Sequence, residues 1–188
     1  MRSSSRNSRR PHRALALAAA VSLLLGSAAQ AADEPHNFVL TAFSNGRGGS
    51  ELTHGNYEAA VRELGTSPNA MGLDPASLSN NRCVAYSITR QWESARIACD
   101  TAVRIAQQER ASLPTYMIWA HKLQNDYVAM ALSNRAVLHW MSADAEAAES
   151  DLKKAENLAP HASFVAHNLN SLHASHNTVA QVTVTPQT

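Results

Sequence analysis

The two cysteines, Cys83 and Cys99, are the first residues whose types and spacing suggest a chemistry. Both fall in predicted helices that turn near Arg90, and a disulfide joining the helices is one hypothesis. An antiparallel hairpin sets Cys83 roughly opposite residues 95–97, short of Cys99, whereas a bridge needs Cα atoms within about 7 Å. Two buried thiols are the alternative. No CxxC pair is present, so a bridge would be a structural staple and not a redox centre.

Histidines are the second group to weigh, because the chain contains nine. Four of them lie late in the sequence, at His161, His167, His173 and His176. Only His173 and His176 are spaced to share a helix face, and neither an HExxH motif nor a Cys/His ligand set accompanies them. A solvated or capping role is therefore expected, and no metal ligands are assigned.

The usual catalytic signatures are missing from the sequence. It contains no GxGxxG, no P-loop and no GxSxG motif. We therefore expect no enzyme activity, no catalytic residues and no cofactor, and the chemistry is expected to be that of binding.

The elements that would position any binding residues are helical hairpins. In residues 79–106 small and apolar residues recur at the three-and-four spacing of a helix face, and residues 133–160 repeat the pattern. The matching pairs are Asn81 and Asn134, Arg82 and Arg135, Cys83 and Ala136, Val84 and Val137, Ala95 and Ala148, Cys99 and Leu152, and Ala102 and Ala155. Asn168 lies a further 34 residues after Asn134.

This pattern resembles the tetratricopeptide repeat, a pair of helices recurring every 34 residues. The resemblance covers residues 50–174 and implies an all-α fold, a short solenoid of helical hairpins. It comprises about two good repeats, a degenerate N-terminal unit and a C-terminal capping helix after Pro160. The spacing of 53 residues from Ala95 to Ala148 corresponds to one period plus an insert of 19.

The resemblance also implies a peptide-binding site, because the first helices of such repeats line a concave groove. Asn81, Asn134 and Asn168 stand at equivalent places in successive units. An amide offers both a donor and an acceptor to a peptide bond, so these residues are candidates for binding a partner. Hydrogen bonding between neighbouring helices is the alternative. The Lys and Arg pairs of the family's carboxylate-binding members are missing, which argues against a receptor for chain termini.

The insert, residues 110–128, supplies a second candidate surface. A long helix is expected after Pro114, carrying Tyr116, Trp119 and Tyr127 on the part that extends beyond an ordinary repeat. These aromatic residues would serve either as a contact for a partner or a second copy, or as packing against the preceding repeat.

The N-terminal residues predict export. Five arginines precede an apolar run from Ala14 to Leu25, and Ala29-Gln30-Ala31 offers a cleavage site after Ala31. The run is shorter than the roughly 20 residues that span a bilayer, so no integral membrane segment is expected. Cleavage would lower the formal charge from +1 to about −4, which disfavours nucleic acid as a partner.

The predicted organisation is a signal peptide over residues 1–31, an irregular leader over 32–49, a tetratricopeptide-like helical domain over 50–175 and a flexible tail over 176–188. The expected function is a non-catalytic protein–protein interaction module, periplasmic or secreted, that binds an envelope protein or peptide in its groove. The alternative is a scaffold that self-associates into a homo-oligomer through the insert.

Overall fold

Helices dominate the computed structural model, which describes residues 37–65, 74–175 and 181–187. The predicted signal peptide lies outside these residues. In chain order the elements are β1 (Asn37–Phe43), α1 (Gly49–Thr53), α2 (Tyr57–Gly65), α3 (Pro75–Ile88), α4 (Trp92–Ser112), α5 (Ile118–Met141), α6 (Ala145–Leu158), α7 (Ser163–Ala174) and β2 (Gln181–Gln187). Among the described residues, no helix is both long enough and apolar enough to cross a lipid bilayer.

The helices pack as antiparallel hairpins, as the sequence predicts. Helix α3 packs against α4 and α5 against α6, neighbouring hairpins contact each other through α4 and α5, and α7 packs on α5 and α6. The first hairpin begins where a proline follows a capping residue. The Asp74 carboxylate accepts hydrogen bonds from the backbone N–H groups of Ala76 and Ser77 at 3.1 and 3.2 Å. Pro75 occupies the first turn, where its missing N–H costs nothing.

The 19-residue insert lengthens two neighbouring helices. Helix α4 continues to Ser112 and α5 begins at Ile118, so the extra residues add turns to both. The two added halves are bonded side by side, because Gln124 on α5 donates to the Glu109 carboxylate on α4 at 3.0 Å. We call this extension, residues 107–125, the hairpin arm.

A two-stranded sheet accompanies the helices, and the sequence did not predict it. β1 and β2 pair in parallel, with Asn37 opposite Gln181 and Phe43 opposite Gln187. The prediction of an irregular leader is therefore wrong for residues 37–43. The prediction of a flexible tail is wrong for residues 181–187, and the fold is mostly helical but not purely so.

The physical reason for this error is that neither strand can be stable by itself. An isolated pair of strands is marginal in water, and each segment lacks a hairpin partner nearby in sequence. β1 is stabilised because its side chains enter the core of the helical array. Phe38, Leu40 and Ala42 have no exposed surface, and the Phe38 ring packs on Trp140 with centroids 4.3 Å apart. Burial of this alternate set holds the strand in its register.

A disulfide joins Cys83 on α3 to Cys99 on α4, with Cα atoms 4.6 Å apart. The hypothesis of a structural bridge is therefore confirmed. Ala95 and Ala98 are buried beside the bridge. Such small side chains allow the two helices to approach closely, which brings Cys99 within bonding distance of Cys83.

Candidate functional site: an amide ladder along strand β1

Strand β1 lies on the inner face of the array, which we define as the face formed by α3, α5 and α7. Each of these helices contributes one of the predicted asparagines, and each asparagine side chain forms two hydrogen bonds to a single residue of β1. Asn168 accepts from the N–H of Val39 at 2.7 Å and donates to its carbonyl at 2.8 Å. Asn134 pairs with Thr41 at 2.8 and 2.8 Å, and Asn81 with Phe43 at 2.9 and 3.0 Å.

The three bonded residues alternate along the strand, which explains the regularity of this amide ladder. In an extended chain the N–H and C=O groups of every second residue point to the same edge. The asparagines therefore occupy one edge of β1, and the residues between them present their backbone groups to the opposite edge, where β2 pairs. An amide that bonds only N–H and C=O groups recognises an extended backbone whatever its side chains are.

Neighbouring side chains fix the orientation of each amide. The second hydrogen of the Asn134 amide goes to Asn80 Oδ1 at 2.9 Å, and that of Asn168 goes to Ser133 Oγ at 2.9 Å. Asn81 donates its second hydrogen to the carbonyl of Arg47 at 3.0 Å. With both amide hydrogens engaged, the side-chain oxygen of each asparagine must face the strand N–H.

Two of these supporting residues, Asn80 and Ser133, were not singled out from the sequence. Asn80 is buried and also donates to the carbonyl of Thr41 at 2.9 Å. Asn80 immediately precedes Asn81 and accepts a hydrogen bond from Asn134. Ser133 immediately precedes Asn134 and accepts one from Asn168. The detectable signal was a polar pair, Asn-Asn or Ser-Asn, at a helix position where apolar residues would be expected.

Strand β2 is held less firmly than β1. None of its side chains between Val182 and Gln187 is fully buried, although Val182 and Val184 pack partly against the core. Beyond the ladder of the sheet, β2 contacts α1, the Thr183 hydroxyl donates to the carbonyl of Phe38 at 3.4 Å, and the Ser44 hydroxyl donates to the carbonyl of Gln187 at 3.3 Å. β2 therefore depends mainly on its backbone pairing with β1.

A cavity of about 440 Å³ opens beside the two strands. Val39 and Thr41 line it from β1, Thr185 from β2, and Phe164 and His167 from α7. The Thr41 hydroxyl oxygen is buried and has no hydrogen-bond partner among the described residues. A buried hydroxyl without a partner carries a desolvation cost, so Thr41 is a destabilising position within β1.

The three aromatic residues predicted for the insert divide into two places. Tyr116 and Trp119 lie at the tip of the hairpin arm with 81% and 69% of their surface exposed, beside Ile118 at 78%. Tyr127 lies deeper along α5, and its ring packs edge-on against Phe43 with centroids 5.1 Å apart. The structure therefore places Tyr127 at the amide ladder and the other two in an exposed apolar patch.

An ion-pair cluster behind the inner face holds α5 between its neighbours. Arg135, the residue after Asn134, donates to the Asp151 carboxylate on α6 at 2.7 and 3.1 Å and to Asp100 on α4 at 3.0 Å. Burial is the largest single influence and lowers the pKa of Arg135, but the bonds and charges of the two aspartates outweigh it. The pKa is raised overall, and the guanidinium stays charged.

The histidines do not assemble into a metal site in the described part of the chain, where no three His, Cys, Asp or Glu side chains come together. His161 lies 3.0 Å from the Asp126 carboxylate, and His167 contacts the carbonyl oxygen of Asn37. His176 lies outside the described residues.

Comparison of the chain with models of protein families, with curated proteins and with solved structures yields no match. The geometry of the inner face and of the hairpin arm is therefore what indicates the function of the chain.

Proposed function

We propose that this chain is a non-catalytic protein–protein interaction module of the bacterial cell envelope, built on a tetratricopeptide-like array. Its inner face receives an extended segment of a partner protein. The observation that carries this proposal is the amide ladder, in which three asparagines pair with the N–H and C=O of alternate residues of an extended chain. A surface that bonds a backbone in this way is suited to holding extended segments.

The resident strand β1 leaves one route for a partner. Its edge toward the helices is occupied by asparagines, so an incoming segment would pair with the opposite edge, at the place of β2. Such strand addition obtains affinity from main-chain hydrogen bonds and specificity from alternate side chains. The side chains that matter would be those at the positions of Val182 and Val184, which contact the core.

The disulfide supports the proposed periplasmic or secreted location. Structural disulfides persist in oxidising compartments and are rare in the cytosol. Together with the export signal predicted from residues 1–31, the Cys83–Cys99 bridge favours a protein that works outside the cytoplasm.

Site-specific photo-crosslinking in intact cells tests the proposal. A photoreactive phenylalanine analogue at Phe164, which lines the cavity beside the strands, should form a reproducible adduct with an envelope protein. The matched control places the same analogue at Glu156, an exposed residue of α6 that lines none of the described cavities around the strands. Identical adduct patterns at both positions, or none at Phe164, would count against the inner face as the binding site.

A second candidate function is self-association through the hairpin arm, and the exposed Tyr116, Ile118 and Trp119 favour it. Contiguous exposed apolar side chains often mark a contact surface. In sedimentation experiments the mature chain should then show a mass that rises with concentration, and Trp119→Ser should abolish this rise. Trp92→Ser, at a tryptophan with 44% exposure away from the arm, is the control.

A further inference from the structure

Strand β2 is the described element whose detachment from the fold should require the least free energy. It is the last element of the described chain, and five residues, 176–180, connect it to the end of the last helix and its flanking turn. It contributes no fully buried side chain between Val182 and Gln187, whereas three side chains of β1 have no exposed surface. Detachment of β2 would therefore break few contacts with the core, and β1 would remain bonded to the asparagines.

The edge of β1 that β2 covers is complementary to the sequence of β2. The two strands are uncharged, and register places Val182 beside Phe38 and Val184 beside Leu40 on the face toward the core. An uncovered edge of this kind offers unpaired backbone N–H and C=O groups and readily pairs with another chain. The occupant whose sequence is already known to fit is the same strand from a second copy.

We propose that β2 exchanges between two copies of this chain, so that residues 181–187 of each copy pair in parallel with β1 of the other. The inference rests on the proposed function, because it identifies a second copy as one source of the extended segment. Exchange preserves the contacts of β2 in both copies. Exchange of an identical terminal element is a low-cost route to a symmetric dimer.

Engineered cysteines test the exchange in the full chain. Val39 and Thr183 are paired across the two strands, Val39 lines the open cavity, and Thr183 is exposed. Copies carrying Val39→Cys are mixed with copies carrying Thr183→Cys and treated with a mild oxidant such as diamide. Exchange predicts a disulfide-linked heterodimer, because adjacent strands place paired Cα atoms about 5 Å apart.

Two controls make the result decisive. Mixing Val39→Cys with Gln187→Cys places the thiols four residues out of register. The yield of disulfide-linked heterodimer should then fall roughly tenfold. The double variant Val39→Cys with Thr183→Cys should form the 39–183 bridge, within one chain or between two exchanged copies, which shows that the substituted strands still fold and pair. Its pre-formed bridge should also block heterodimer formation with either single variant.

Either of two results would overturn the proposal: an internal 39–183 bridge in the double variant with no heterodimer above the out-of-register level, or no 39–183 bridge of either kind, within or between chains. The outcome is separable from that of the proposed function. An envelope protein crosslinked at Phe164 in a chain that fails to exchange would leave the inner face as a binding site and exclude the second copy as its occupant.

Discussion

Asn134 and Thr41 are separated by 93 residues, yet the side chain of one is bonded to both backbone polar groups of the other, at 2.8 and 2.8 Å. Both residues are buried. This contact ties the middle of β1 to the middle of the helical array. It also shows the helices binding an extended backbone within their own chain, whose opposite edge is the one proposed for a partner.

Asn134→Ala should be strongly destabilising. It leaves the buried N–H of Thr41 without its partner and deprives the carbonyl of one of two donors, and an unpaired buried group costs about 1–3 kcal/mol. Urea denaturation should show a midpoint shift equivalent to about 2–3 kcal/mol. Asn170→Ala, at an exposed position of α7, controls for the change in helix propensity. Equal midpoints for the two variants would mean that the amide ladder contributes no stability.

Gly49→Ala should be destabilising because there is no room for a side chain. A Cβ at Gly49 would lie 1.9 Å from the carbonyl oxygen of Phe43, a backbone atom that the amide ladder holds in place. Forced overpacking of this kind typically costs about 1–3 kcal/mol. Gly65→Ala is the matched control, since a Cβ there meets nothing within 4 Å. The melting temperature of Gly49→Ala should be lower than that of Gly65→Ala. Equal melting temperatures would show that the turn after β1 can relax.

The helical part of the fold is predictable from the sequence because its signals are local. Pro75 after Asp74 marks the start of α3, and the three-and-four spacing from Trp92 to Ala106 marks the buried face of α4. Each of these signals operates within a few turns of one helix. A 34-residue spacing between Asn134 and Asn168 then places two amides on equivalent helix positions.

The strands were not predictable for the opposite reason, since their stabilising partners lie far away in sequence. Val39 bonds to Asn168 across 129 residues, and β1 pairs with a strand from the other end of the chain. Nothing within residues 32–49 indicates these contacts. The clue lay in α3, where Asn80 and Asn81 are polar yet buried, because their amides bond to the backbone of β1 instead of meeting a hydrophobic neighbour.

Loss of the Cys83–Cys99 disulfide should lower stability without unfolding the helices. The bridge closes a loop with a sequence separation of 16, for which loss of the cross-link costs about 3 kcal/mol. Guanidinium denaturation of the oxidised and reduced chains should differ by about this amount, while far-ultraviolet circular dichroism before denaturation should be unchanged. Coinciding denaturation curves would show that packing of Ala95 and Ala98 alone holds α3 to α4.

Acidification should reduce the free-energy cost of burying the ionised carboxyl group of Glu109. Burial, the largest influence, raises the pKa of this carboxyl, the charge of Asp74 adds to the rise, and the hydrogen bond from Gln124 opposes it. The folded state therefore binds the proton more tightly than the unfolded state, and this group's contribution to stability falls as the pH rises through that pKa. Glu109→Gln should melt above the parent at neutral pH and approach it as the pH falls through the pKa. Glu156→Gln controls for net charge, and a difference that grows on acidification would reverse the assignment.

Arg135→Met should be among the most destabilising substitutions outside the core. It leaves the Asp151 carboxylate, with 5% of its side chain exposed, without its closest cation, and an uncompensated buried charge costs about 3–5 kcal/mol. Because Arg135 adjoins Asn134, loosening α5 should also weaken the hold on Thr41 of β1. Hydrogen exchange should then be faster at the backbone N–H groups of β1 as well as at α6.

The double variant Arg135→Met with Asp151→Leu removes the unpaired buried charge and should recover most of the lost stability. Arg96→Met, which breaks only exposed ion pairs, with Glu93 and with Asp100, should change little. If the double variant is no more stable than the single one, the guanidinium positions α5 by its shape and not by neutralising Asp151.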